Sequence, residues 1–184
     1  AACDWSSDVC SSDLSRVAVD LIEKFTHFGI SKETAINTVN SIMSLKFSEN
    51  EKFSTLDLSS LDLYNGEIDF MKVGAVPSFI KSGDKVEVVT SNTLPIGVLD
   101  KVDLEVTHKK LKSGDMIIML SDGVLDYNNN NVGKVDWVVD YLKNSNINSP
   151  KELVDGLIST AKMLSGGKAK DDMTAIVSKV YSLY

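Results

Sequence analysis

This sequence has no apolar run near the roughly 18 residues that a helical membrane span requires, which excludes such a span from this stretch of chain. It also lacks a basic excess. Lys and Arg number 19 against 26 Asp and Glu, for a net charge of −7, so a nucleic-acid partner, which calls for a basic face, is excluded. Histidine is scarce. His27 falls near the end of a predicted helix, where a cation complements the dipole, and His108 adjoins Lys109 and Lys110 in a solvated run; neither is expected to do chemistry. The only cysteines, Cys3 and Cys10, lie within the first ten residues. They could form a small disulfide or part of a metal site, but the cysteine-free remainder agrees with a reducing compartment. Internal repeats and low-complexity linkers are missing too. With 184 residues, 43% of them hydrophobic and 24% charged, one globular domain with a single core is expected.

The first residues stand apart. Cys3 to Leu14 reads, codon by codon, as an in-frame translation of a short-read sequencing adapter. Its Ser and Asp residues around Trp5 show no helical or strand period, and it lacks the basic start and apolar centre of a signal peptide. Residues 1–14 are therefore expected to be a non-native segment, with the domain proper covering residues 15–184 and its authentic beginning upstream of a junction near Ser15.

What is present follows in order. Val17, Leu21, Phe25 and Phe28, with Ile22 beside them, form a helical stripe ending at Gly29. Ser31 is placed to cap a second helix that buries Ala35, Ile36, Val39, Ile42 and Met43. Strand patterns follow over residues 55–63 and 67–73 around Asn65-Gly66, a strong hairpin signal. Further strands are expected over 78–81, 85–90 and 102–107, the first two joined through Ser82-Gly83-Asp84. Val73-Gly-Ala-Val-Pro77 reads as a structural turn and Asp126–Asn131 as a polar loop. A helix is predicted over 135–142, with Trp137 as its packing anchor. Ser149-Pro150-Lys-Glu152 opens another by a capping box with Pro at its first position. That helix ends at Ser165-Gly-Gly167, which lacks the spacing of a phosphate-cradling loop, although Lys168 or Lys170 could attract a substrate phosphate. Ala175–Val180 closes the chain as a strand. Helices, antiparallel strands and helices again make an α+β layered domain.

The stretch that organises the rest is Asp115-Met-Ile-Ile-Met-Leu-Ser-Asp-Gly123. Met116–Leu120 is an apolar run between turn signals, which suits a strand buried on both faces, though periodicity alone also fits a buried helical turn. It delivers Asp122 onto Gly123. Asp171 and Asp172 open the last strand in mirror fashion. If the two strands are antiparallel neighbours, these carboxylates meet at one rim, where they repel unless a cation joins them or a proton is shared. Oxygen-only ligands favour Mg²⁺ or Mn²⁺. Solvated loop carboxylates are the plainer alternative.

Ser121-Asp122-Gly123 behind an apolar strand, and Asp171-Asp-Met-Thr174 leading into Ala175, resemble the last two metal-binding motifs of the PP2C-type serine/threonine phosphatases. Phe53-Ser-Thr-Leu-Asp-Leu58, Lys72-Val-Gly-Ala-Val-Pro-Ser-Phe-Ile-Lys81, Leu94-Pro-Ile-Gly97 and Ser113–Gly123 resemble, within that group, the stage II sporulation protein E family. The resemblance runs from about Ser15 to Val180. It implies a PP2C-like αββα sandwich of two antiparallel sheets flanked by helices. It further implies a binuclear Mn²⁺ or Mg²⁺ site whose activated water attacks a phosphoserine on an anti-sigma-factor antagonist. By position, Asp122 and Asp171 are metal ligands, Asp172 lies at the site, Gly123 permits the turn and Thr174 offers a supporting hydroxyl. A cytoplasmic domain is implied, with room for a homodimer and for a membrane anchor elsewhere in the parent protein. The family's upstream aspartate and Asp-Gly-Met-Gly motif are not found between Ser15 and Leu56. The domain is therefore expected to be incomplete at its N-terminus, with a sticky sheet edge, poor Mn²⁺ binding and little activity of its own. A non-catalytic interaction or regulatory module on the same fold is the main alternative, and a simple cation-binding domain a weaker one.

Overall fold

The computed structural model describes residues 11–47, 54–99, 101–102, 104–126, 134–169 and 171–181. Cys3 and Cys10, and most of the adapter-like segment, lie outside them. The elements in chain order are α1 (Ser11–His27), α2 (Lys32–Phe47), β1 (Leu56–Leu61), β2 (Glu67–Val73), β3 (Ser78–Ser82), β4 (Lys85–Val89), β5 (Val106–Lys110), β6 (Met116–Leu120), α3 (Asp122–Leu125), α4 (Asp136–Asn144), α5 (Pro150–Leu164) and β7 (Ala175–Lys179). They make two antiparallel sheets with flanking helices. One sheet has the order β1-β2-β5 and the other β4-β3-β6-β7. Helix α1 starts at Ser11, four residues before the junction expected at Ser15.

The chain packs as two compact units. The first comprises residues 1–58, 71–75 and 91–106. Its core joins Ala18 and Ile22 of α1 to Ile36, Val39 and Met43 of α2, with Leu56, Met71, Val73, Ile96 and Val102. The α1 stripe is thus centred on Ala18 and Ile22, whereas Phe28, expected to be buried, lies past the helix end and is 79% exposed. Asn40 is buried in α2; its side-chain amide accepts from Gly97 N at 2.9 Å and donates to Leu99 O at 3.0 Å, pinning the Leu94–Leu99 loop. Gly74 (φ 63°) packs so tightly on Pro95 that a Cβ would lie 2.7 Å from its nitrogen, so the Val73–Pro77 turn has a structural reason for its glycine. Lys72, 2% exposed, pairs with Asp57 at 2.5 Å. Burial pushes the Lys72 ammonium below its ordinary pKa, and the hydrogen bond and charge of Asp57 oppose that shift.

The second unit comprises residues 59–70, 76–90 and 107–184. Strand β6 sits in its middle, between β3 (Ile80 opposite Ile117) and β7 (Ile118 opposite Val177), and both pairings are antiparallel. Met116, Ile118 and Leu120 face a core made with Val124, Leu125, Val138, Leu142, Leu153, Leu157 and Ala161 of the helices. Ile117 points the other way, into a core with Ile68, Phe70, Ile80 and Val89. Alternate side chains of β6 therefore enter two different cores, which is why its sequence is apolar throughout. Burying each such side chain fully is worth about 1.5–3 kcal/mol. The ammonium of buried Lys81 donates to Leu142 O at 2.6 Å and Gly83 O at 2.9 Å, and so ties the last turn of α4 to the end of β3. Ser149 caps α5 by accepting from Glu152 N at 3.4 Å, with Pro150 in its first turn.

Two expectations move. The strand predicted over 102–107 forms over Val106–Lys110 instead. Val102 belongs to the core of the first unit, so the alternating pattern there marks packing and not sheet pairing. The residues after Ser121, expected to be a turn, form the short helix α3, whose Gly123, Val124 and Leu125 are buried. Asp126 follows it and pairs with Lys134 at 2.5 Å; most of the polar loop between them lies outside the described residues. His108 is exposed but meets Asp69 at 2.7 Å.

Candidate metal centre

The ladder between β6 and β7 ends with Leu120 opposite Ala175. One further main-chain bond, Ser121 N to Thr174 O at 2.9 Å, extends it past the strand ends. Asp122 then begins α3 on one side, and Asp171-Asp172 precede β7 on the other. Two segments some fifty residues apart in sequence thus leave the sheet at the same rim.

Close packing holds them there. Gly123 does not have a positive φ, unlike the turn glycines of this chain, so it is not needed for the turn itself. A Cβ on Gly123 would instead run into the carbonyl oxygen of Asp172 and come within 3.3 Å of the Asp171 carbonyl carbon. Ser121 supplies the second link. Its hydroxyl donates to Asp172 O at 3.1 Å and accepts from Thr174 N at 2.9 Å. Although Ser121 occupies the N-cap position of α3, its side chain makes no capping bond to that helix, because the hydroxyl is engaged across the rim. Thr174 contributes through its backbone. The hydroxyl that bridges the loops is that of Ser121, and nothing in the Ser-Asp-Gly motif itself marks it for that role.

Asp122, Asp171 and Asp172 are all exposed. Asp122 Oδ1 accepts from Gly123 N at 2.9 Å, and Asp171 Oδ1 accepts from Asp172 N at 2.7 Å. Both bonds fix the carboxylates to their own loops. Among the described residues no Lys, Arg or His pairs with any of the three. Lys170, next to Asp171, lies outside the described residues; carboxylates on neighbouring loops with no ion pair among the described residues fit a hard, oxygen-preferring divalent ion as part of its ligand set. They are a part only: among the described residues, no group of three or more His, Cys, Asp or Glu is gathered closely enough to hold a metal ion. The rim brings the predicted residues together as two adjoining loops and does not by itself close a cage around an ion.

Comparison with known proteins gives a concordant result. Residues 8–181 match the family described as "Stage II sporulation protein E (SpoIIE)". Stage II sporulation protein E of Bacillus subtilis (strain 168) is 39% identical over 166 residues, covering 90% of this chain and 20% of the relative. The chain therefore spans about a fifth of that protein's length. The solved structure of the PP2C phosphatase domain and a fragment of the regulatory domain of the cell fate determinant SpoIIE from Bacillus subtilis superposes with a TM-score of 0.82. Its identity is 39%, and the match covers 91% of this chain and 49% of that one. The phosphatase domain of the same determinant, presoaked with Mn, gives a TM-score of 0.69 at 36% identity, covering 100% of this chain and 77% of that one.

Proposed function

This chain belongs to the stage II sporulation protein E family, and we propose that it is the greater part of a metal-dependent protein serine/threonine phosphatase domain. The observation that carries this reading is the juxtaposition of Asp122 with the Asp171-Asp172 loop at the end of the β6–β7 ladder. Asp122 and Asp171 are the ligands and Asp172 lies beside them, in a site that takes Mn²⁺ or Mg²⁺. When bound, the metal supplies Lewis acidity toward a phosphoryl oxygen and acidifies the water that attacks phosphorus. The chain's own residues orient those carboxylates: the Gly123 and Asp172 amides each hold one carboxylate oxygen. Ser121 and the Thr174 backbone keep the two loops together. The exposed rim suits a substrate carried on a protein surface. The substrate we propose is a phosphoserine of an anti-sigma-factor antagonist.

Two adjoining loops offer fewer ligands than a binuclear site needs. We therefore expect the 184-residue chain to bind Mn²⁺ weakly and to hydrolyse little, and the intact parent protein to be active. The test compares both on a phosphoserine form of the antagonist, with and without Mn²⁺. Mn²⁺-dependent phosphate release by the parent, abolished by Asp122→Asn, supports the reading. A parent that binds the antagonist without releasing phosphate under any metal would instead make this a non-catalytic interaction module. Robust hydrolysis by the 184-residue chain itself would overturn the expectation of weak activity. Among the described residues no helix is long and apolar enough to cross a membrane, and an anchor in the parent belongs to this proposal only.

A further inference from the structure

We infer that Ser121 is a positioning residue of the proposed metal centre, its hydroxyl clasping the Asp171-Asp172 loop to the Asp122 loop so that both carboxylates face one ion; this rests on the metal reading above. An N-cap serine ordinarily turns its oxygen to the second or third amide of its own helix. Here the oxygen is turned away from α3, donating to Asp172 O at 3.1 Å and accepting from Thr174 N at 2.9 Å. The two bonds span 51 and 53 residues of sequence and bracket Met173, directly after Asp172, on the opposing strand's approach. With Ser121 N bound to Thr174 O, a single residue makes three bonds to the opposing segment, immediately before the Asp122 ligand. Gly123 on the other side of Asp122 leaves no gap through which that segment could withdraw inward. The hydroxyl therefore sets the separation of the ligand-bearing loops without touching the metal. Groups that orient metal ligands in this way typically govern affinity by 10–100-fold.

The test uses the 184-residue chain, ¹⁵N-labelled, titrated with Mn²⁺ alone and followed by paramagnetic broadening of amide signals, which detects weak binding. In the wild type, signals from residues 121–123 and 171–174 should broaden along one shared titration curve. In Ser121→Ala that curve should shift to about 10–100-fold higher Mn²⁺, and the Thr174 amide should exchange with solvent up to about tenfold faster. Ser121→Thr, which keeps the hydroxyl, should restore both. Should Ser121→Ala fail to fold, Ser121→Cys keeps the volume with only a weak donor and reads the same loss. Unchanged affinity in Ser121→Ala, or equal loss in Ala and Thr variants, would overturn the positioning role while leaving the metal reading intact. No localised broadening in the wild type would overturn the metal reading and this inference together.

Discussion

Replacing Gly123 by Ala separates a local helix preference from the tertiary contact on which the site depends. In α3 alone the change should help, since alanine is favoured over glycine in helices by about 1 kcal/mol, and the φ of Gly123 is not positive. The tertiary contact acts in the opposite direction. The new Cβ would overlap the Asp172 carbonyl and approach the Asp171 carbonyl carbon. These are main-chain atoms, so no change of rotamer clears them. Forcing an extra carbon into packed backbone costs about 1–3 kcal/mol. Displacing the Asp171-Asp172 segment also stretches the two Ser121 bonds, each worth about 0.5–1.5 kcal/mol. The net expectation is a loss of about 1–5 kcal/mol, or a fall in Tm of about 2–20 °C for a chain of this size. Metal-free thermal denaturation measures it, with Gly114→Ala as a control that meets no atom within 4 Å and pays only for its φ of +97°. A Gly123→Ala chain at or above the wild-type Tm would mean that the Asp172 carbonyl does not pack against Gly123 as the structure has it.

Asp122→Asn and Asp171→Asn should each abolish any Mn²⁺-dependent rise in Tm, while the metal-free unfolding free energy stays within about 0.5 kcal/mol of the wild type, because both side chains are exposed. Asp57→Ala removes the carboxylate beside the buried Lys72 ammonium and should cost about 3–5 kcal/mol in urea denaturation, whereas Asp57→Leu with Lys72→Met should be neutral or better; equal losses in the two would contradict this. Because burial lowers the Lys72 pKa from 10.5, the native chain gives up that proton at lower pH than the unfolded chain. The unfolded state then binds more protons between the lowered value and 10.5, so this group's contribution to stability rises with pH across that window, and Lys72→Met should flatten the rise. Ser149→Ala should cost about 1 kcal/mol through the lost cap of α5, read by thermal melting.

Several elements were legible because local signals and tertiary demands agree in them. The Ser149-Pro150 start, the Asn65-Gly66 hairpin and the apolar run of β6 each have one local solution that also suits the core. Val102 and Leu104 misled because alternation in a loop that packs on a core resembles alternation in a strand. Phe28 misled because the helical stripe was extended past the residue where α1 ends. At the rim, motif resemblance named Asp122, Asp171 and Asp172, and the β6–β7 pairing brings their loops together. Ser121 was not legible: only the crossing of the two strands shows that its hydroxyl turns away from its own helix. The role of Gly123 also needed coordinates, since a glycine kept for close approach reads in sequence like one kept for a turn.

Locating the metal decides whether Asp122 and Asp171 share one ion. Crystals of the chain soaked in Mn²⁺ and measured for anomalous scattering should show a peak at the β6–β7 rim, within coordinating distance, about 2.0–2.2 Å, of carboxylate oxygens from both Asp122 and Asp171. A peak bound to only one of these residues, a peak elsewhere, or none at saturating Mn²⁺ would contradict the shared metal centre.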